Sequence, residues 1–187
     1  SNYIYCCCGD TAAESRWFYS GDNGDTWNLL VADMPQGYLR CTSVVFTEKE
    51  IWWASHDNAH FLMNAQRNEE GLLDVGTITA KCPLTSYQST NAIAYIKKDE
   101  RLFFYDRSSL PELTLCYYDI KKSELVEVGT FVKMGDPSEG TPWGNRGRCY
   151  VRYPNTSEPL LAMGIIEEYK PCQFDIIGND EHTFGSI

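Results

Sequence analysis

Apolar and polar side chains alternate with a period of two along most of this sequence, and no window of about a dozen residues keeps a helical period. Short alternating runs separated by turn-forming residues predict β-strands, which fall into three cycles of four. The predicted strands are residues 43–47, 50–55, 60–65 and 72–78, then 91–96, 101–105, 113–118 and 125–131, then 148–153, 159–163, 171–177 and 182–187. The pattern therefore predicts an all-β protein.

A small tripeptide, glycine followed by Thr or Ser and then by Ile or Phe, ends each predicted cycle. Its glycines are Gly76, Gly129 and Gly185, which are 53 and 56 residues apart. That repeat length is typical of propeller blades with long loops. The repeat therefore predicts a β-propeller. Its three full blades are expected over residues 38–78, 89–131 and 147–187.

Residues 1–36 predict only a partial blade. Three strands are visible there, at residues 3–8, 16–19 and 27–31, and the innermost strand is missing. About four blades, three full and one partial, close poorly into a ring. We expect residues 1–187 to be a single propeller domain or a fragment of a larger one, with further blades upstream of Ser1 or on another chain. No initiator Met or signal-peptide pattern opens the sequence.

The stretch from Ser20 to Trp27 reads Ser-Gly-Asp-Asn-Gly-Asp-Thr-Trp between two strand-like runs. Gly24 tolerates a positive φ, and the carboxylate of Asp22 is suited to accept hydrogen bonds from backbone N–H groups a few residues on. Thr26 and Trp27 suit the start of a strand, where the indole can cover the turn. These residue types predict a tight hairpin turn.

The same eight positions resemble the Asp-box, or BNR repeat, of sialidases and related β-propellers. The resemblance rests on Ser20, Asp22, Gly24, Thr26 and Trp27, and it implies a structural role for them, because Asp-boxes lie away from the catalytic centre of that family. Residues 55–58 align with residues 20–23 as a degenerate second copy. In Asp-box propellers this loop joins the third and fourth strands, whereas our cycle puts residues 55–58 between the second and third. One of the two assignments must therefore be wrong.

Ligands of propellers usually lie on the face formed by the loops between second and third strands and by the crossings between blades. Aromatic rings there can stack on a sugar, while charged and amide groups bind its hydroxyls. The candidate ligand-binding residues are His56, Asp57, His60, Asp106, Arg107 and Glu167 from the loops, Arg40, Trp143 and Arg146 from the crossings, and Arg148 just beyond the last crossing.

Each candidate also has a structural explanation. Trp143 can pin a loop rich in glycine and proline, the arginines and Glu167 can be solvated, and the histidines can serve turn or packing roles. His60 and Asp57 together could act as a general base. No catalytic residue is assigned, because nothing in the sequence places a nucleophile beside them.

We expect a carbohydrate-binding propeller, with a glycan as partner, and keep two alternatives. The first is a glycoside hydrolase of the sialidase-like propeller type. Sialidases use three arginines to bind a carboxylate, a Tyr–Glu pair as the nucleophile and an Asp as the catalytic acid. The resemblance allows Arg40, Arg146 and Arg148 as the arginines, but the family's Arg-Ile-Pro motif is absent. The second alternative is a scaffold that binds protein.

Composition narrows the function further. A net charge of −10 argues against nucleic acid as a partner, and no apolar run approaches the roughly 20 residues that span a bilayer. None of the eight cysteines forms a C-x-x-C pair, so we expect no metal and no cofactor. Most of the cysteines lie in apolar runs and three are adjacent, which indicates reduced thiols and folding in a reducing compartment. A protein that functions at a cell or virion surface stays an open alternative.

Overall fold

The computed structural model of this protein is built of antiparallel β-sheet. It describes residues 3–9, 11, 13–32, 34, 38–55, 60–84, 93–109, 112–132, 146–152, 160–166, 173–177 and 184–186, and only the backbone at 42, 105–109, 112–113 and beyond 129. The fifteen strands formed by these described residues confirm the prediction of an all-β chain. Within the described residues there is no helix of the length and apolarity that a membrane crossing requires.

The chain forms two compact units, and the first is Ser1–Tyr87. It contains a three-stranded sheet, in the order β1-β2-β3, and a four-stranded sheet, in the order β4-β5-β6-β7. The strands are β1 Ile4–Cys8, β2 Arg16–Ser20, β3 Asn28–Val31, β4 Cys41–Phe46, β5 Glu50–Ser55, β6 Phe61–Gln66 and β7 Thr79–Pro83. Each strand pairs antiparallel with its neighbour in sequence, so both sheets are simple meanders.

The second unit, Gln88–Ile187, contains two four-stranded meanders. The strands are β8 Ala94–Ile96, β9 Arg101–Ser109, β10 Glu112–Asp119, β11 Glu124–Val132, β12 Arg146–Arg152, β13 Leu160–Ile166, β14 Gln173–Ile177 and β15 Phe184–Ser186. The first strand of the later sheet, β12, lies against β8 and β9, the first two strands of the sheet before it. Neighbouring sheets of this unit therefore meet through their leading strands.

A cluster of buried aromatic and aliphatic side chains holds the two sheets of the first unit together. Trp17 on β2 and Trp53 on β5 are fully buried, and their ring centroids are 4.8 Å apart. Tyr5 on β1 packs at 5.3 Å from Phe46 on β4. Burial of large aromatic rings is the main source of favourable free energy in such a core. The predicted alternation of apolar and polar residues thus gives each sheet an apolar face, and the two apolar faces pack against each other.

The fourth strand of the second sheet is not where the sequence pattern predicted it. Residues 72–78 form a turn with a single 3-10 segment at Val75–Thr77, and the strand follows at Thr79–Pro83. The carboxylate of Asp74 accepts the N–H of Gly76 at 3.0 Å, and Thr77 Oγ1 donates to the Asp74 carbonyl at 2.7 Å. These local side-chain bonds compete with strand pairing.

The three glycines of the predicted tripeptide therefore have different settings. Gly76 lies in the turn before β7, whereas Gly129 and Gly185 lie inside the last strands of their sheets, opposite Leu115 and Ile176. The prediction that all three close a cycle in the same way is wrong for Gly76. The four sheets run over residues 4–31, 41–83, 94–132 and 146–186.

Candidate functional site

The packing of β1 on β4 defines the two ends of the first unit. Tyr5, near the start of β1, contacts Phe46 at the end of β4, while Cys7, further along β1, and Cys41, at the start of β4, pack against the same buried cluster and their thiols interact. The two strands therefore run in opposite directions. Ser20 pairs with Ile4 and belongs to the first end.

We call that end, with the turn Ser20–Trp27 and Phe46, the Ser20 end. Ser55 pairs with Cys41 and belongs to the opposite end. We call this end, with residues 38–41, Ser55 and His60, the His60 end. The turn at Ser20 and the end of β5 at Ser55 consequently lie at opposite ends of the unit. Ser20 and Ser55 are therefore not equivalent positions. Ser55 ends the second strand of a four-stranded sheet, whereas the Ser20 turn joins the last two strands of the three-stranded sheet.

The turn Ser20–Trp27 is organised by two side chains. The Ser20 hydroxyl, which is fully buried, donates to Asp22 Oδ1 at 2.7 Å and accepts the N–H of Gly24 at 2.8 Å. The Asp22 carboxylate accepts the backbone N–H of Thr26 at 2.9 Å and its hydroxyl at 2.6 Å. Together they satisfy the polar groups of the turn, as the residue types predicted.

The backbone of this turn passes through the left-handed region at two successive residues. Asn23 has a φ of 62° and Gly24 a φ of 101°, conformations that asparagine tolerates and glycine adopts freely. A Cβ on Gly24 would lie 3.9 Å from Cζ2 of Trp27, so the indole covers the turn. Trp27 nevertheless stays 44% exposed. The turn is thus a surface feature that its own hydrogen bonds and the Trp27 indole define.

Hydrogen bonds also set the acidity of this turn. The hydroxyl and backbone N–H of Thr26, with the Ser20 hydroxyl, lower the pKa of Asp22 from 3.8 to about 2. Asp22 is therefore ionised at neutral pH and engaged as an acceptor. A carboxylate committed in this way is suited to hold a turn and is unsuited to act as a general acid.

At the His60 end, two indoles hold the segment that carries Arg40. Trp17 Nε1 donates to the carbonyl of Leu39 at 2.7 Å, and Trp53 Nε1 donates to the carbonyl of Tyr38 at 2.6 Å. The two tryptophans contact each other, so consecutive carbonyls are bound by one aromatic pair. Arg40 follows directly and is half-buried. We call residues 38–40, bound in this way, the anchored crossing.

His60 is held by an equally defined frame at the same end. Its carbonyl accepts the N–H of Leu84 at 2.7 Å, and the next N–H, from Phe61, donates to Ser55 Oγ at 2.9 Å. The rings of Phe61 and Tyr38 meet edge to face at 5.9 Å. The anchored crossing and His60 therefore belong to one connected surface. Half-buried aromatic, guanidinium and imidazole side chains lie on it.

The structure describes the other predicted site residues only in part. His56, Asp57, Trp143 and Glu167 lie outside the described residues. Asp106 and Arg107 were predicted in a loop, but β9 continues to Ser109, so they lie within that strand. Arg146, predicted in a crossing, is the first residue of β12, and Arg148 lies two positions further along it. Extended pairing with β10 and β13 explains both differences.

A concave surface lies at the Ser20 end. An open groove of about 430 Å³ is lined by Glu48, Lys49 and residues 66–71. The guanidinium of Arg67, which lines this groove, already binds within the protein. Its Nε donates to the Gly71 carbonyl at 2.8 Å, and a terminal nitrogen donates to the Thr47 carbonyl at 3.1 Å. We therefore assign the groove a structural role. Within the residues whose side chains are described, no three His, Cys, Asp or Glu side chains gather as a metal site would require.

Two features of the His60 end were missed by the sequence analysis. No hydrogen-bonding role was assigned from the sequence to Trp17 or Trp53, whose indole N–H groups bind the anchored crossing. Cys7 and Cys41 were interpreted as separate small apolar residues, although they meet across two sheets. No short sequence motif could have predicted either feature, because the partners are distant in the sequence. Trp17 and Leu39 are 22 residues apart, and Cys7 and Cys41 are further apart still.

Comparisons with known proteins show the fold but not the family. No family model matches the sequence, and no curated protein matches it. Among solved structures, the chain is similar to a propeller enzyme, an engineered GH43 glycoside hydrolase described as displaying both endo-xylanase and exo-arabinofuranosidase activity. The similarity has a TM-score of 0.54 at 8% sequence identity, and it covers 99% of this chain and 39% of the hydrolase chain. The chain thus has a propeller-like, all-β fold and spans well under half the length of that neighbour.

Proposed function

We propose that this chain is part of a β-propeller that binds carbohydrate. In this proposal each four-stranded meander is a blade, the three-stranded sheet is a partial blade without its innermost strand, and the whole belongs to a larger propeller. Three findings support it: the meander order of every described sheet, the packing of β12 on β8 and β9, and the likeness to a propeller enzyme over nearly the whole chain.

The turn Ser20–Trp27 is then an Asp-box of the sialidase-like type. Its support is the hydrogen bonding of Ser20 and Asp22 and the covering indole of Trp27. Because Asp22 is committed to Thr26 and Ser20, we give the turn a structural role. The ligand is expected at the opposite end of the first unit.

The observation that carries the carbohydrate proposal is the anchored crossing beside His60. Binding of a sugar requires donors and an aromatic face in fixed positions, since ordering flexible side chains on binding lowers the affinity. Two indole hydrogen bonds fix the backbone just before Arg40, and the Tyr38–Phe61 contact supplies aromatic surface next to it. Arg40 and the imidazole of His60 would then donate to hydroxyl or carboxylate oxygens of the glycan.

A glycan array followed by titration calorimetry tests this proposal. The folded protein is expected to bind a defined set of oligosaccharides. Arg40→Met keeps the length of the side chain but removes its charged donors, and it should weaken binding by roughly tenfold or more, as expected for the loss of a charge-assisted hydrogen bond.

Lys49→Met is the matched control. It removes one exposed positive charge at the Ser20 end of the same unit, so its affinity should equal that of the parent protein. A folded sample, verified by circular dichroism, that binds no glycan contradicts the proposal. Equal affinities of Arg40→Met and the parent protein would remove the anchored crossing from the site.

The second candidate function is hydrolysis of a glycosidic bond, and the structural likeness to a GH43 glycoside hydrolase favours it. In this case His60, with Asp57, is the candidate general base. The direct assay is the release of reducing sugar from xylan and arabinan, with His60→Gln as the variant. Turnover that is lost in His60→Gln supports hydrolysis, whereas glycan binding without any turnover supports the binding role alone.

A further inference from the structure

Strand β1 separates its three adjacent cysteines onto two faces. Cys6 and Cys8 are exposed on one face, together with Ile4. Cys7 points the other way and, like Tyr5, packs against the core between the two sheets of the first unit. Since successive side chains of a strand alternate between faces, only Cys7 can reach the second sheet.

Cys41, the first residue of β4, lies opposite Cys7 in that core. Cys7 pairs with Trp17, whose indole binds the carbonyl of Leu39, two residues before Cys41. Both cysteines contact the same cluster around Trp17 and Trp53. Interaction with the Cys7 thiol, together with burial, raises the pKa of the Cys41 thiol well above its usual range. Both residues remain partly accessible.

We propose that Cys7 and Cys41 form a thiol–disulfide exchange site, at which a small-molecule disulfide such as oxidised glutathione cross-links the two sheets. The Cys7 thiolate attacks one sulfur of glutathione disulfide, whose S–S bond breaks and releases one glutathione thiolate. Cys41 then gives up its proton and attacks Cys7 Sγ, releasing the second glutathione. Two protein thiols are oxidised by two electrons, and two glutathione thiols are formed.

The cross-link would act on the His60 end. It joins β1 to the first residue of β4, immediately after Arg40, and closes a loop between residues 7 and 41. A disulfide across a loop of this length restricts the unfolded chain and thereby stabilises the folded state. Oxidation is therefore expected to raise the thermal midpoint by roughly 10 °C.

Peptide mapping tests the proposal on the whole chain. The native protein is incubated with oxidised glutathione, alkylated and cut with trypsin, which cleaves after Arg16, Arg40 and Lys49. The expected product is peptide 1–16 linked to peptide 41–49. Dithiothreitol should separate the two peptides and reverse the shift of the thermal midpoint.

The neighbouring cysteines supply the controls. The double variant Cys6→Ser, Cys8→Ser leaves Cys7 as the sole thiol of peptide 1–16 and should still form the link, whereas Cys7→Ser and Cys41→Ser should abolish both the link and the thermal shift. If a serine variant fails to fold, Cys41→Ala replaces it. The proposal is overturned if the double variant stays unlinked, if it carries glutathione only as a mixed disulfide, or if Cys7→Ser links as readily as the parent.

Discussion

The pair of indoles that binds the anchored crossing can be tested by removing one donor. Trp17→Phe keeps an aromatic ring in the core but deletes the N–H that donates to the carbonyl of Leu39 at 2.7 Å. Leu39 is only 3% exposed, so water cannot easily replace the donor. Leaving a buried acceptor unsatisfied costs about 1–3 kcal/mol, and the smaller ring leaves a cavity worth about 1 kcal/mol more. We therefore expect Trp17→Phe to lower the free energy of unfolding by about 2–4 kcal/mol.

Trp52→Phe is the matched control for this prediction. Trp52 is also buried, at 2% exposure, and its Nε1 donates to the Glu50 carboxylate at 3.0 Å. Glu50 is half-buried and can turn toward water when the donor is lost, so we expect a loss of only about 1–2 kcal/mol. Combining Trp17→Phe with Trp53→Phe should give a non-additive total, because the two rings are in contact.

Equilibrium unfolding in urea, followed by far-ultraviolet circular dichroism, measures these differences, and hydrogen exchange at the amides of residues 39–41 reports the local effect. Trp17→Phe should speed exchange there more than Trp52→Phe does. If Trp17→Phe costs no more than Trp52→Phe, the anchoring of the crossing by the indole N–H is refuted.

Two further predictions concern turns. The lowered pKa of Asp22 means that its contribution to stability is present above about pH 4 and is lost as the pH falls toward 2. Asp22→Asn should therefore remove most of the dependence of the urea midpoint on pH over this range. The variant of the exposed neighbour, Asp25→Asn, should leave that dependence unchanged. Gly9 has a φ of 114°, and a Cβ there would lie 2.5 Å from the backbone of Glu14, so Gly9→Ala should lower the thermal midpoint strongly. Gly129→Ala, with open space around it, should leave the midpoint nearly unchanged.

Features that depend on neighbouring residues could be predicted from the sequence. The alternation of apolar positions predicted β5 at residues 50–55, where the structure has it, because strand periodicity is a property of the backbone. The turn Ser20–Trp27 was predicted for the same reason, since Ser20, Asp22 and Thr26 bind one another within seven residues. Candidate ligand residues could be proposed by residue type alone.

Features that depend on contacts between distant residues could not be predicted. The shift of the fourth strand to Thr79–Pro83 reflects the bonds of Asp74 within the turn and the pairing of that strand with β6. The end of β9 at Ser109 is likewise set by pairing with β10. A sequence pattern contains the side chains but not the partner strand, and the partner determines where a strand begins and ends.

By itself, therefore, the sequence determined an all-β chain of meandering strands and one self-contained turn. The tertiary structure alone decided that the Ser20 turn and His60 lie at opposite ends of a unit, that Trp17 and Trp53 bind consecutive carbonyls, and that Cys7 meets Cys41. The physical reason is the range of the interactions: backbone geometry acts over a few residues, whereas packing joins residues 15 or more positions apart.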